Sequence, residues 1–190
     1  MSHPTASPFS NPAGGAAEAA GGYTAALLDL LGDRDPLAVQ AELVPALRRL
    51  SAGLSDGELR RPERPGKWSV MEVVEHLADQ ELVNGYRIRS VVAEDEPELR
   101  GYDQDRWAAR LRYGAADLET VMSELAALRG RNLRLLRALP PAELERAGLH
   151  SERGPETVRR IMLLTAGHDL LHRRQIERIR SAIGRPVGGA

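Results

Sequence analysis

The sequence predicts an all-α protein, a four-helix bundle with a long crossover between its second and third helices. Apolar residues recur at helical spacing in four segments of the chain, and no segment alternates apolar and polar residues as a strand would. The connection between the second and third segments is unusually long, residues 94–116. Helices that are not adjacent in a bundle need such a crossover.

The first part of the chain predicts a tail followed by a helix. Residues 1–22 are rich in Ser, Pro, Ala, Gly and Asn, so we expect a disordered N-terminal tail, with the bundle domain at 23–190. Residues 23–31 form a short helical lead-in. The first bundle helix then begins at Pro36 and runs to about residue 50, and Pro45 should kink or break it.

The second helix has a clear start signal. Residues 54–67 are polar and contain prolines and glycines, which indicates a loop. Ser69, followed three residues later by Glu72, matches a capping box. Helical spacing of apolar residues then predicts a helix to about Ala93.

The rest of the chain predicts two more long helices. The crossover 94–116 could hold a short helix at 103–113, and the third helix covers 117–138. A loop is expected at 140–154. The fourth helix should then run from about residue 155 to 183, where a glycine and a proline end it.

Composition and charge exclude several function classes. The 26 basic and 27 acidic residues give a net charge of −1, which argues against nucleic-acid binding. The chain has no Cys, so disulfides, cysteine-ligated zinc and a protein thiol nucleophile are excluded. No apolar stretch is long enough for a membrane helix and no secretory signal is recognisable. We therefore expect a cytoplasmic protein with no membrane partner.

Two histidines on the fourth helix are the strongest sign of chemistry. His168 and His172 lie four residues apart, so they share one face of the helix, and that face is the apolar one. Two such imidazoles can bind one metal ion, although two buried histidines that each make a hydrogen bond would show the same spacing. His76 lies beside the apolar stripe of the second helix and is the candidate third ligand. Such a three-histidine site leaves a position open for water or substrate.

Three segments resemble one family. Residues 67–81 read KWSVMEVVEHLADQE, residues 165–179 read TAGHDLLHRRQIERI, and residues 150–157 read HSERGPET. Their order and spacing resemble the DinB-like (damage-inducible, YfiT-type) superfamily, from about residue 36 to 183. The resemblance implies an up-down-down-up four-helix bundle with a pocket at one end. It also implies a divalent metal ion held by His76, His168 and His172.

The resemblance implies a metal-dependent enzyme that acts on a small-molecule substrate. Members include hydrolases and thiol S-transferases, the latter with a low-molecular-weight thiol as cosubstrate. The attacking group is then a metal-bound water or thiolate, and the imidazole ligands suit zinc, nickel or iron. The alternative is a non-catalytic binding or stress-response interaction module that keeps the bundle, with or without the metal. Long bundle helices can pair through two-fold symmetry, so we expect a homodimer.

Six further side chains are candidates for contacts to the histidines or to substrate: Asp79, Gln80, Trp107, His150, Asp169 and Gln175. Asp169 points aside from His168 on the helix, so a salt bridge is the favoured role. Gln175 either reaches a metal-bound water or substrate, or is a buried amide bonded to backbone. His150 is either a fourth ligand or substrate contact, or a structural loop residue.

Overall fold

Eight α-helices and a small three-stranded sheet follow one another along residues 16–187, the part of the chain that the computed structural model describes. The helices are α1 (Ala16–Leu31), α2 (Pro36–Ala41), α3 (Leu43–Ser51), α4 (Asp56–Leu59), α5 (Val70–Ala93), α6 (Gln104–Arg110), α7 (Leu118–Ala138) and α8 (Val158–Ala182). The strands are β1 (Glu98–Leu99), β2 (Ala147–His150) and β3 (Gly154–Thr157). No helix among the described residues combines the length and hydrophobicity needed to cross a bilayer.

Two clusters of buried side chains show how the long helices run. One cluster joins the beginnings of α5 and α7 to α3 and to the end of α8. The other joins the ends of α5 and α7 to the beginnings of α2 and α8. The α2–α3 unit and α8 therefore run one way and α5 and α7 the other. This is the up-down-down-up bundle, as predicted, with the crossover between α5 and α7.

The start of α5 is fixed by the predicted capping box. The Ser69 hydroxyl accepts a hydrogen bond from the backbone N–H of Glu72, and the Glu72 carboxylate accepts one from the backbone N–H of Ser69 at 2.7 Å. Two N–H groups that the first turn leaves without helical partners are thereby satisfied. The helix covers Val70–Ala93, as predicted.

The first bundle helix breaks earlier than Pro45. It divides at Glu42 into α2 and α3, which places Pro45 in the first turn of α3. A proline ring clashes with the carbonyl four residues before it, here that of Ala41, and has no N–H to donate to it. Ending α2 at Ala41 removes both problems, because a proline in a first turn is tolerated.

The N-terminal helix begins inside the segment predicted as a tail. Residues 16–22 belong to α1, so the predicted boundary at residue 22 is wrong, while residues 1–15 lie outside the described part of the chain. Leu27 and Leu31 are buried, and α1 lies along α8. A Cβ on Gly167 would come within 2.2 Å of the carbonyl oxygen of Leu27. This helix therefore packs against α8 at a close backbone contact.

The expectation of no strands and of plain loops at 54–67 and 140–154 is also wrong. The first of these loops contains α4, and the second is followed by β3 where the fourth helix was expected to start. Strands β2 and β3 form an antiparallel hairpin, and β1 from the crossover pairs in parallel with β2. These strands have two to four residues each, too few for an alternating pattern to be recognised.

Candidate metal centre

The three predicted histidines meet between α5 and α8. The Nε2 atom of His168 lies 3.2 Å from Nε2 of His76 and 3.0 Å from Nε2 of His172. All three side chains are buried, with exposed fractions of 1%, 5% and 6% for His76, His168 and His172. Among the described residues these three histidines form the one group that could hold a metal ion.

The nitrogen separations fit a tetrahedral ion. With metal–nitrogen bonds of about 2.0 Å, two ligands at the tetrahedral angle lie about 3.3 Å apart. The observed 3.0 and 3.2 Å are close to that edge. Without an ion, at least one of the three Nε2 atoms must carry a proton and donate it to a neighbour, whereas a cation accepts all three lone pairs at once. The donor set therefore fits a divalent ion.

The environment keeps these imidazoles neutral, which ligation requires. Burial, and then the neighbouring imidazole of His172, holds the pKa of His76 well below its ordinary value. Burial does the same for the pKa of His168, helped by the two other histidines. Burial also lowers the pKa of His172 to about 4, although a hydrogen bond to Gln175 opposes the shift.

Two neighbouring side chains fix the orientation of the histidine rings. Nδ1 of His172 lies 2.7 Å from Oε1 of Gln175, one turn further along α8. Because a carboxamide oxygen only accepts, Nδ1 carries the proton and Nε2 keeps its lone pair. Gln175 thus orients His172. The alternative role predicted for it, a buried amide bonded to backbone, is not what the structure shows. The Trp68 ring covers His76, with ring centroids 4.9 Å apart.

Two cavities meet the histidine cluster. The first encloses about 80 Å³ within about 650 Å³ of empty space that includes its open mouth, and His168 forms part of its wall. It lies between α1, α5, α8, the crossover and the β2–β3 hairpin. The second is open towards solvent and is lined by Trp68, His172 and Gln175 among others. Gln104, at the start of α6, lines both.

Two of the other candidates hold the crossover and do not contact the histidines through hydrogen bonds. The Asp79 carboxylate accepts a hydrogen bond from the Tyr113 hydroxyl. One position further along α5, Gln80 Oε1 accepts from the Tyr102 hydroxyl at 2.5 Å. Trp107 packs against Tyr102, with ring centroids 4.4 Å apart, and is not part of the wall of either cavity beside the histidines.

His150 lies in β2 and reaches the first cavity without joining the cluster of three histidines. Its Nδ1 atom accepts the backbone N–H of Glu152 at 3.1 Å. Burial lowers the pKa of His150 to about 4, and the guanidinium groups of Arg153 and Arg87 lower it further. The neutral ring therefore carries its proton on Nε2, and that buried atom has no partner in the structure.

Asp169 makes the predicted inter-helix salt bridge, but deep in the core. Its carboxylate bonds the Arg129 guanidinium of α7 through two hydrogen bonds. Glu81 of α5 lies 2.8 Å from the same guanidinium, at Nε. All three side chains are buried, so the network ties α5, α7 and α8 together directly behind His168.

Arg129 and Glu81 are buried in the core, which the sequence-based expectations did not include. A signal for Arg129 was present in the spacing of α7. The buried face of α7 carries residues at alternating intervals of three and four positions: Met122, Leu125, Arg129, Asn132 and Leu136. Arg129 and Asn132 therefore lie on the same face as the three apolar residues. A polar residue on a core stripe predicts a buried partner, because an unpaired charge there is costly.

Comparison with known proteins gives one consistent family. A sequence profile of the DinB superfamily matches residues 39–176. A protein of Geobacillus thermodenitrificans, named "Putative metal-dependent hydrolase", is 31% identical over 151 residues, 78% of this chain and 84% of the relative. A protein of Oceanobacillus iheyensis with the same designation is 30% identical over 131 residues, 69% of this chain and 76% of the relative.

One solved structure is similar throughout the bundle. It is YfiT from Bacillus subtilis, described as "a probable metal-dependent hydrolase with an unusual four-helix bundle topology". The TM-score is 0.73 at 27% identity, and the match covers 78% of this chain and 86% of that one.

Proposed function

The chain belongs to the DinB superfamily, and from that premise we propose that it is a hydrolase that uses one divalent metal ion held by His76, His168 and His172. The observation that carries the proposal is the convergence of three buried Nε2 atoms at separations that suit a tetrahedral ion. The names of the relatives agree with it.

The site has the composition of a catalytic centre more than of a structural one. Three neutral ligands leave the full positive charge of a divalent ion in place, and such an ion lowers the pKa of a bound water towards neutrality. Within the described residues no fourth His, Asp or Glu joins the group, so a position is left for water or substrate. We propose zinc, nickel or iron as the ion, since imidazole suits all three.

The residues of the chain prepare this chemistry in separate ways. Gln175 holds the tautomer of His172 that leaves Nε2 free. Trp68 excludes water from one side of His76. The first cavity admits a small molecule to the side on which His168 lies. Together they present three lone pairs to one point at the wall of a cavity.

A metal-replacement assay tests the proposed activity. The purified protein is stripped with a chelator, reloaded in turn with zinc, nickel and ferrous iron, and assayed against a panel of carboxylic esters, amides and epoxides. We expect hydrolysis only after reloading, none with His172→Ala, and unchanged rates with His3→Ala, which removes an imidazole outside the described residues. Hydrolysis that survives stripping would contradict the proposal.

The same assay tests the other predicted activities. Turnover that requires an added low-molecular-weight thiol would indicate the thiol transferase. Metal binding without turnover of any substrate would indicate the interaction module. The predicted homodimer is tested separately, by light scattering.

A further inference from the structure

Arg87 is a buried arginine that forms no ion pair with any described residue. It lies on α5 with an exposed fraction of 4% and lines the first cavity. Its guanidinium donates to two neutral oxygens, the carbonyl of Arg100 and, at 3.4 Å, the amide oxygen of Asn84. Its Nε atom has no partner. No described carboxylate forms an ion pair with it.

Two other arginines, one in the core and one at the cavity, are paired with carboxylates. Arg129, equally buried, contacts Glu81 and Asp169. Arg153 at the cavity makes a bidentate pair with Glu156, with both distances 2.7 Å. Arginine cannot lose its proton, so a buried guanidinium without an anion is costly. Arg87 differs from these two residues in having no directly paired carboxylate, since Glu156 and Glu152 act on it only at longer range.

A second donor in the same cavity also lacks a partner. The Nε2–H of His150, whose side chain has an exposed fraction of 2%, is buried and makes no hydrogen bond. The β2–β3 hairpin brings this ring to the cavity, and α5 brings Arg87. Two unpartnered donors from different elements thus line one space.

A polar stripe leads from the metal ligands to Arg87. His76, Gln80 and Asn84 follow one another at intervals of four residues on α5, and Arg87 comes three residues later. Gln80, Asn84 and Arg87 all line the cavity. At about 1.5 Å per residue, His76 and Arg87 are about 16 Å apart along the helix axis. A ligand that reaches both ends is elongated.

We infer that Arg87, with the Nε2–H of His150, binds a carboxylate at the far end of an elongated substrate whose reacting group lies at the three histidines. This inference rests on the proposed hydrolase function and names its substrate class, a molecule with a hydrolysable bond near one end and a carboxylate at the other. Arginine suits this role because its planar fork matches a carboxylate.

The charges around the cavity agree with an anionic ligand. Arg153 and Glu156 neutralise each other, which leaves Arg87 and the half-buried Glu152 as the remaining charged side chains of the lining. Three neutral histidines add no negative charge, so a divalent ion on them makes the cavity positive. Glu152 makes no ion pair with Arg87, and its carboxylate lies against Gly101.

A pair of probes separates the carboxylate site from the metal site. Monohydroxamates of linear dicarboxylic acids bind zinc at one end and carry a free carboxylate at the other. The matched probes carry a terminal carboxamide. Affinities for the zinc-loaded full-length protein are measured by calorimetry over graded chain lengths. For one chain length we expect the carboxylate to bind at least about tenfold more tightly than the carboxamide.

Substitution assigns that preference to Arg87. Arg87→Met should remove it while carboxamide binding persists, and Arg87→Lys should keep part of it. Arg159→Met, at an arginine paired with Glu145 outside the cavity, is the matched control and should leave the preference unchanged. Thermal melts check that each variant folds. Equal affinity of both probes for the wild-type protein, or a preference that survives in Arg87→Met, would overturn the inference.

A metal-independent readout keeps the two proposals apart. Failure of both hydroxamates to bind would count against the metal site alone. In that case the arginine Nε–H resonances of the metal-free protein are followed by NMR while the plain dicarboxylate is added. We expect the Arg87 resonance, assigned through Arg87→Met, to shift and saturate. A resonance that does not move would refute the carboxylate site.

Discussion

His172 and Gln175 form a hydrogen-bonded pair within one turn of α8, with Nδ1 and Oε1 2.7 Å apart. The carboxamide oxygen selects the tautomer in which Nε2 of His172, 3.0 Å from Nε2 of His168, keeps its lone pair. Partners of this kind often change metal affinity about ten- to a hundredfold. The pair therefore makes Gln175 part of the proposed metal centre, through its effect on His172.

Gln175→Leu should weaken zinc binding by about ten- to a hundredfold, because the substitution leaves Nδ1 of His172 without an acceptor. Competition with a chromophoric chelator measures the affinity. Gln175→Glu supplies a carboxylate acceptor at the same position and should restore most of it. Equal affinities for the wild-type protein and Gln175→Leu would show that the hydrogen bond plays no part in ligation.

Arg129→Met should lower the free energy of unfolding by about 3–5 kcal/mol, because it leaves the buried carboxylates of Glu81 and Asp169 without a partner. Urea denaturation measures the loss. Arg48→Met, at the exposed pair with Glu119, is the control and should cost no more than about 1 kcal/mol. A similar small loss for both variants would mean that the core carboxylates are solvated or protonated.

Two glycine substitutions should change stability in opposite directions. Gly167→Ala places a Cβ 2.2 Å from the backbone oxygen of Leu27, so α1 must move away from α8 and the melting temperature should fall. Gly130→Ala meets only the end of the Arg134 side chain at 3.8 Å and should stabilise α7 by about 0.5–1 kcal/mol. A Gly167→Ala protein as stable as the wild type would show that α1 does not dock as described.

The metal-free protein should lose stability in mild acid. Burial lowers the pKa values of His150 and His172 from 6.5 to about 4, so between these values the unfolded chain binds protons that the folded chain does not. The histidine contribution to stability is therefore complete above about pH 6.5 and is lost as the pH decreases towards 4. Asp169 offsets part of this loss, because burial raises the pKa of its carboxyl to about 6 and the folded chain takes up that proton first. Urea midpoints across this range measure the slope, and His150→Asn should reduce it. A steeper slope in that variant would contradict the assignment.

Local signals explain what the sequence predicted well. Ser69 and Glu72 stand three residues apart, so the start of α5 is encoded by neighbours. The i, i+4 spacing of His168 and His172 is equally local. His76 was expected near His168 and His172 because the apolar stripes of the helices in a bundle face one another. The His76 side chain lies beside the apolar stripe of α5.

Long-range contacts explain what the sequence did not show. Strand β1 pairs with β2 about 50 residues away, and neither strand is long enough to carry a pattern of its own. Helix α1 depends on the absence of a side chain at Gly167, which has no visible counterpart in residues 16–31. Whether a buried arginine is paired depends on which carboxylates the fold places beside it. Glu81 pairs with Arg129 and Glu156 with Arg153, and neither pairs with Arg87.

Metal stoichiometry is the direct test of whether His76, His168 and His172 bind one metal ion. The full-length protein is loaded with excess zinc, desalted and measured by inductively coupled plasma mass spectrometry together with His172→Ala. We expect about one ion per chain for the wild type and almost none for His172→Ala, with helical circular dichroism retained, because a tetrahedral site that loses one of three protein ligands no longer holds the ion. Far less than one ion per wild-type chain, or equal loading of the variant, would show that the three histidines are core residues and not a metal centre.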